Sequence, residues 1–157
     1  MDRHFELTDK FIINAFGAKL FQIKCTRKIK YADIGDLGGY IEKENNLSGD
    51  AWVSGNARVS GDAQVSGNAQ VSGDAQVSGD ARVSNDNEHC GFDCFGSANR
   101  HTHSYKTKSG KIEITCGCFR GSIEEFEKQI KETHRGNEFE RQYIAIVEVI
   151  KIKFGLK

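Results

Sequence analysis

A six-residue phrase repeated six times without interruption constrains this chain more than anything else in it. From Ser48 to Val83 the sequence reads SGDAWV, SGNARV, SGDAQV, SGNAQV, SGDAQV, SGDARV. Repetition this strict at so short a period demands stacked units, because one unit alone cannot bury its apolar side chains. Ala and Val flank one variable residue, so on a short strand both point to one side and the variable residue to the other. The small apolar side is the inward one. Trp52, Arg58, Gln64, Gln70, Gln76 and Arg82 are then the outward positions. Gly followed by Asp or Asn supplies a corner, since these residues tolerate left-handed backbone. Three strand-and-corner units per coil give a triangular prism. A Ser/Gly-rich linker is the competing reading, but a linker has no reason to place Val at every sixth position.

The V-S-G-(D/N)-A-x phrase resembles the hexapeptide repeat of left-handed parallel β-helix proteins. That resemblance implies 18 residues per coil, so Asp50 should lie over Asn68, Trp52 over Gln70, Arg58 over Gln76 and Gln64 over Arg82. Like charges are mostly kept apart in this register, as direct cross-strand neighbours require, with Asp62 over Asp80 the exception. Ile41 and Leu47 continue the Val register backward, so the β-helix is expected over residues 41–84, about two and a half coils. A stack this short buries little core alone and needs caps or further copies of itself. The six outward residues include no acid and no Lys, which suits an interface. Trimers packed side by side are what the resemblance implies, with those six residues between subunits. The run GDLGGYIE…NLSGDAWV resembles the opening of hexapeptide-repeat proteins of bacteria and their phages, and the likeness covers roughly residues 18–84.

Composition bounds the partners. Twenty-two basic and 22 acidic residues leave no net charge, which argues against bulk nucleic-acid or anionic-membrane binding. No signal-peptide pattern and no membrane-length apolar run is present, and the five Cys read as reduced thiols, so a cytoplasmic location is expected. Residues 1–40 read as a β cap, with strands at Phe11–Ile13 and Leu20–Cys25 around Gly17. Residues 85–157 read as a small α+β module. Strands near 99–106 and 111–119 flank Thr107-Lys108-Ser109-Gly110, a hairpin signal. Ser122 three before Glu125 is a capping box opening a helix that buries Ile123, Phe126 and Ile130 and ends at Gly136. Phe139, Tyr143, Ile146, Val147, Ile150 and Phe154 fit a second helical stripe, although Ile150, Ile152 and Phe154 alternate as a strand would; the helix is preferred. The expected fold is mainly β: a short left-handed β-helix, an N-terminal β cap and a C-terminal α+β module. The run TKSGKIEITCGCFRGSIEEFEKQIKETHRG resembles a small module of phage and prophage proteins, which implies a mobile-element origin and carries over no catalytic residue.

Three chemistries compete. The first is a Cys/His cluster, His89, Cys90, Cys94, His101, His103, Cys116 and Cys118, in which the pairs His101/His103 and Cys116/Cys118 have the ligand types for zinc. A two-residue hairpin loop at Lys108-Ser109 would place His101 opposite Cys116 and bring both pairs to one face. A three-residue loop with a Gly110 bulge would split them. The first register makes the better apolar face, yet zinc-site spacing is lacking, so buried core thiols are preferred to metal. The second candidate is an anion site. Ser97, Asn99, Arg100, His101, Thr102 and His103 mix small residues, hydroxyls and a guanidinium, with Cys116, Cys118 and the helix start at Ser122 nearby. The third is acyl transfer, common among hexapeptide β-helices, but residues 41–84 contain no His and no interrupting loop. His4 reads as a polar N-terminal residue and His134 as complementing the helix C-terminus. The expectation is a non-enzymatic accessory protein without cofactor. It would bind a small anionic, nucleotide-like ligand or a host protein, as in counter-defence, with the β-helix as its platform. A virion-associated structural protein is the alternative, and an acyltransferase comes third.

Overall fold

The computed structural model describes residues 3–156. β1 (Phe5–Ile13) and β2 (Lys19–Cys25) form an antiparallel hairpin, and β3 (Leu37–Ile41) extends it. β3 then pairs in parallel with the second hexad strand, Tyr40 with Arg58 and Ile41 with Val59. The hairpin is thus an N-terminal continuation of one solenoid face.

Each hexad contributes one two-residue strand: β4 (Trp52–Val53), β5 (Arg58–Val59), β6 (Gln64–Val65), β7 (Gln70–Val71), β8 (Gln76–Val77) and β9 (Arg82–Val83). They pair in parallel as β4–β7, β5–β8 and β6–β9, so residues eighteen apart stack. Leu47 bridges to Val65 at the same interval, so the eighteen-residue stacking continues one hexad back from Val53. The six Ala–Val pairs, Ile41 and Leu47 share one buried core. The glycine column is required throughout by its backbone conformation, and at Gly49 and Gly67 by close packing of the coils as well. Its six members adopt φ between 60° and 64°. A Cβ on Gly49 would lie 2.8 Å from the Gly67 nitrogen. The Asp62–Asp80 stack is relieved by Lys43, whose ammonium hydrogen-bonds Asp62 at 2.9 Å and holds that carboxyl below the usual carboxylate range.

Beyond the last coil, β10 (His89–Phe95), β11 (Arg100–Lys106), β12 (Ile112–Cys116) and β13 (Phe119–Ser122) form an antiparallel sheet in sequence order. α1 (Ile123–Thr133) and α2 (Glu138–Lys153) cover one face and build a second core with Ile114, Phe126, Ile130, Tyr143 and Ile150. The opposite face closes the solenoid. Tyr105 is buried in the solenoid core, and Thr115 donates a 2.7 Å hydrogen bond to the Gln76 carbonyl. Asp86 accepts from the Gln70 nitrogen at 3.0 Å, satisfying a donor on the open coil edge. The chain is mainly β, with a β-solenoid and two short helices; no described helix is long and apolar enough to cross a membrane.

Some expectations are corrected and others are met. Trp52 keeps the outward register but is not free on the surface: it is 3 % exposed, covered by the N-terminal segment beside Gly38 and His4. His4 is likewise buried, and its Nε2 bonds the Ala51 carbonyl at 2.7 Å. The hairpin takes the three-residue loop, with Gly110 at φ 85°, so Thr102 rather than His101 pairs with Cys116. The strand expected to reach Phe119 breaks at Gly117, φ 60°, and β13 runs back beside β12. The capping box forms in full: Glu125 N donates to Ser122 Oγ, and Ser122 N to Glu125 Oε1. The ambiguous final segment is helical, because Tyr143, Ile146, Val147 and Ile150 all meet the second core.

Candidate functional site

The register of β11 sends alternate side chains to opposite sides of the sheet, and the two sides carry different chemistry. On the side that carries Thr102, Ile114 and Cys116, Ile114 packs into the core with the helices, and Cys116 reaches a cleft of about 270 Å³ between the sheet and the helices. Its floor is Cys116 and Tyr143, both buried. Thr102 Oγ1 donates to the Cys116 thiol at 3.3 Å, and the Tyr143 hydroxyl lies 3.8 Å from it. Phe119, Phe126 and Ile130 form the apolar walls, with Gln129 and Thr133 as polar positions. Phe126 meets Tyr143 edge-on, while His134 stacks on it at 22°. Burial pushes the Tyr143 phenol up to about 12, with the Cys116 side chain adding to the effect and Arg100 opposing it. Tyr143 is therefore a neutral donor at any ordinary pH.

The rim is Ser97, Ala98, Arg100 and Cys118. The turn between β10 and β11 is pinned over the cleft by three bonds and contacts. Gly96 N donates to Gln142 Oε1 at 2.8 Å, and Tyr143 donates to the Phe95 carbonyl at 3.4 Å. A Cβ on Gly96 would fall 2.0 Å from the Tyr143 oxygen, so only glycine permits this approach, and its φ of 82° demands glycine as well. Arg100 is exposed and makes no ion pair with a carboxylate among the described residues. An unpaired guanidinium beside an aromatic-walled slot can hold an anionic group while the slot takes a flat apolar one.

Ser97, Arg100, Cys116 and Cys118 thus come together, whereas the other proposed ligand residues do not. Asn99 lies on the exposed turn with φ 49°. Ser122 is spent as the cap of α1. Thr102 is buried behind Cys116, with no exposed surface. His101 and His103 face the opposite side of the sheet, toward the solenoid, so the convergence of His and Cys pairs on one face does not occur. Cys116 and Cys118 share the cleft but differ in exposure, the first buried in its floor and the second exposed at its rim. Among the described residues no cluster of His, Cys, Asp or Glu is arranged to hold a metal ion.

On the solenoid side, three imidazoles form a continuous row. His89 Nε2 meets Asp86 Oδ1 at 3.0 Å, and His89 Nδ1 meets His103 Nε2 at 2.9 Å. His103 Nδ1 meets His101 Nε2 at 2.9 Å, and His101 Nδ1 meets Asp93 Oδ1. Gly91, paired with His103, leaves the necessary room: a Cβ there would lie 2.5 Å from the His101 ring. Burial, then the neighbouring His89 and His101, pushes His103 well below the usual histidine range.

The proposed interface positions have also been partly used within the chain. Trp52 is covered, and Gln76 donates to the Gly117 carbonyl at 3.5 Å. Arg82 lies along the chain, donating to the Asp62 and Ala81 carbonyls. Arg58 and Gln70 are half-buried, leaving Gln64 as the exposed member.

Sequence reasoning missed the helical half of the cleft, Gln129, Thr133, His134 and Tyr143, because these residues read as an ordinary amphipathic face. It grouped His89 with the His pair only as a candidate metal ligand, and it missed Asp86 and Asp93 as partners of the row. Recognising HCGFDCF as a strand would have set His89 beside Tyr105 and Gly91 beside His103.

A family model described as the YdcK beta solenoid repeat matches residues 51–67 and 75–86. The match lies within the hexads and the exit from them. The chain matches no curated protein.

Proposed function

We propose that this is a non-enzymatic binding protein. Its C-terminal module receives a small anionic ligand with a flat apolar part, nucleotide-like in chemistry, on the solenoid as a rigid scaffold. The observation that carries the reading is the unpaired Arg100 guanidinium at the mouth of a cleft floored by Cys116 and Tyr143 and walled by Phe119 and Phe126. A binding role rather than catalysis is favoured because His134 is stacked on Tyr143 and hydrogen-bonds neither cleft thiol. Cys116 instead contacts two hydroxyls, which do not activate a nucleophile.

The rest of the proposal follows the resemblance of the hexads. The solenoid winds left-handed, and the protein is an accessory factor of a mobile element that sequesters its ligand in the host cytoplasm. Five unpaired thiols suit that compartment. Self-association as a trimer would use the solenoid face carrying Gln64, since Trp52 and Gln76 are engaged within the chain.

A thermal-shift series with the four nucleoside monophosphates, acetyl-coenzyme A and zinc tests the reading, because a ligand that binds the native state raises its stability by mass action. At least one nucleotide should raise the unfolding midpoint of the wild type and leave that of Arg100→Ala unmoved. A shift with acetyl-coenzyme A alone, or equal nucleotide shifts in both proteins, would refute it.

A further inference from the structure

The His row contains four links and too few protons to fill them. Each link joins two atoms that both need a shared hydrogen: Asp86 to His89, His89 to His103, His103 to His101, and His101 to Asp93. Three neutral imidazoles carry one ring proton each. With both carboxylates ionised, one link would set lone pair against lone pair, and at an N···N spacing of 2.9 Å that is repulsive. A fourth proton fills every link at once.

We infer that the row is a buried site for one extra proton, which locks the module's sheet to the end of the solenoid. The charge belongs on an end ring, His89 or His101, where a carboxylate faces it, and the central His103 stays neutral. In either arrangement all four links are filled, and two proton hops along the row interconvert them. The site joins parts distant in sequence. Asp86 also accepts the Gln70 N–H of the solenoid edge, and Asp93 lies near the end of β10, ahead of the turn that carries Ser97 and leads into Arg100 at the start of β11. The surrounding charges are few. Lys153 of α2 bonds the Asp86 carbonyl at 3.5 Å, and on the same face of the sheet the Glu113 carboxylate is held by Tyr105 and Arg120. Loss of the fourth proton empties the His101–Asp93 link most readily, because the Asp93 side chain is 65 % exposed and can turn to water. The β10–β11 turn is then freed. That consequence for ligand binding rests on the proposed cleft; the proton count does not.

The test is a count. In full-length protein labelled with nitrogen-15 histidine, imidazole NMR at pH 7 should show four protonated nitrogens among the six of His89, His101 and His103. Asp93→Asn supplies an amide donor to the end link, so the row then needs only three, and the count should fall by one while the fold is retained. Three protonated nitrogens in the wild type, or an unchanged count in the variant, would overturn the inference. Either result leaves the cleft untouched, because ligand-induced stabilisation is read separately.

Discussion

Val65 and Gln64 are neighbours on one two-residue strand with opposite fates, and truncating each tests the stacking directly. Val65 has no exposed surface, pairs with Val83 on one side and bridges to Leu47 on the other. Gln64 is exposed. Val65→Ala removes two methyl groups from between coils. The lost transfer energy is about 1.5 kcal/mol, and the cavity adds roughly another 1, since stacked backbones eighteen residues apart cannot collapse inward. The expected cost is about 2–3 kcal/mol, or ~5–10 °C in unfolding midpoint for a chain of this size. Gln64→Ala should stay within about 0.5 kcal/mol. Urea unfolding followed by circular dichroism gives both values, with an unchanged denaturant slope confirming that only native stability moved. Equal losses at the two positions, or none at Val65, would refute the assignment of inward and outward sides.

Other perturbations probe the caps and the cleft. Gly96→Ala should cost about 3 kcal/mol or more, from left-handed strain of ~1–2 kcal/mol and displacement of the Tyr143 hydroxyl; wild-type stability would remove the argument for the pinned turn. Acid should destabilise the fold. His4 is lowered chiefly by burial and His103 by burial and its His neighbours, so below the unfolded histidine value of about 6.5 the unfolded chain binds more protons. Their stabilisation is complete above that pH and is lost as pH falls toward the folded values. The urea midpoint should therefore drop between pH 7 and pH 5, less steeply in His4→Gln, and a flat profile would contradict the burial of both rings. Iodoacetamide should modify Cys94 and Cys118 in the native protein and reach Cys25 and Cys116 only on unfolding, as mass spectrometry of timed samples will show; rapid alkylation of Cys116 would mean the cleft floor is open.

The solenoid was legible because its rule is local and repeated: the same Ala-x-Val unit states its inward side six times, and the register follows from the period. The capping box at Ser122 was legible for the same reason, as two residues three apart that satisfy each other. Legibility failed where one residue's conformation decides a long-range outcome. A single left-handed Gly110 chose between two hairpin registers and moved His101 and His103 to the side opposite Cys116. Gly117 likewise turned one expected strand into two. Trp52 fits its hexad, and nothing in the repeat says that His4, nearly fifty residues earlier, will cover it. Arg100, Ser97, Cys116 and Cys118 were found as a polar and thiol cluster. Their common cleft could not be found, because α1 and α2 supply its other wall and sequence alone does not dock a helix on a sheet.

The central claim is that the C-terminal module, not the solenoid, receives the ligand. Amide chemical-shift mapping tests it most directly, by titrating nitrogen-15-labelled protein with the nucleoside monophosphate that stabilises it most. Perturbations should cluster at Ser97–Arg100, Gly117–Phe119 and Gln129–His134, and leave Gln64 and Arg82 unmoved. Perturbations confined to the solenoid hexads, or none with any of the four nucleotides, would contradict the account.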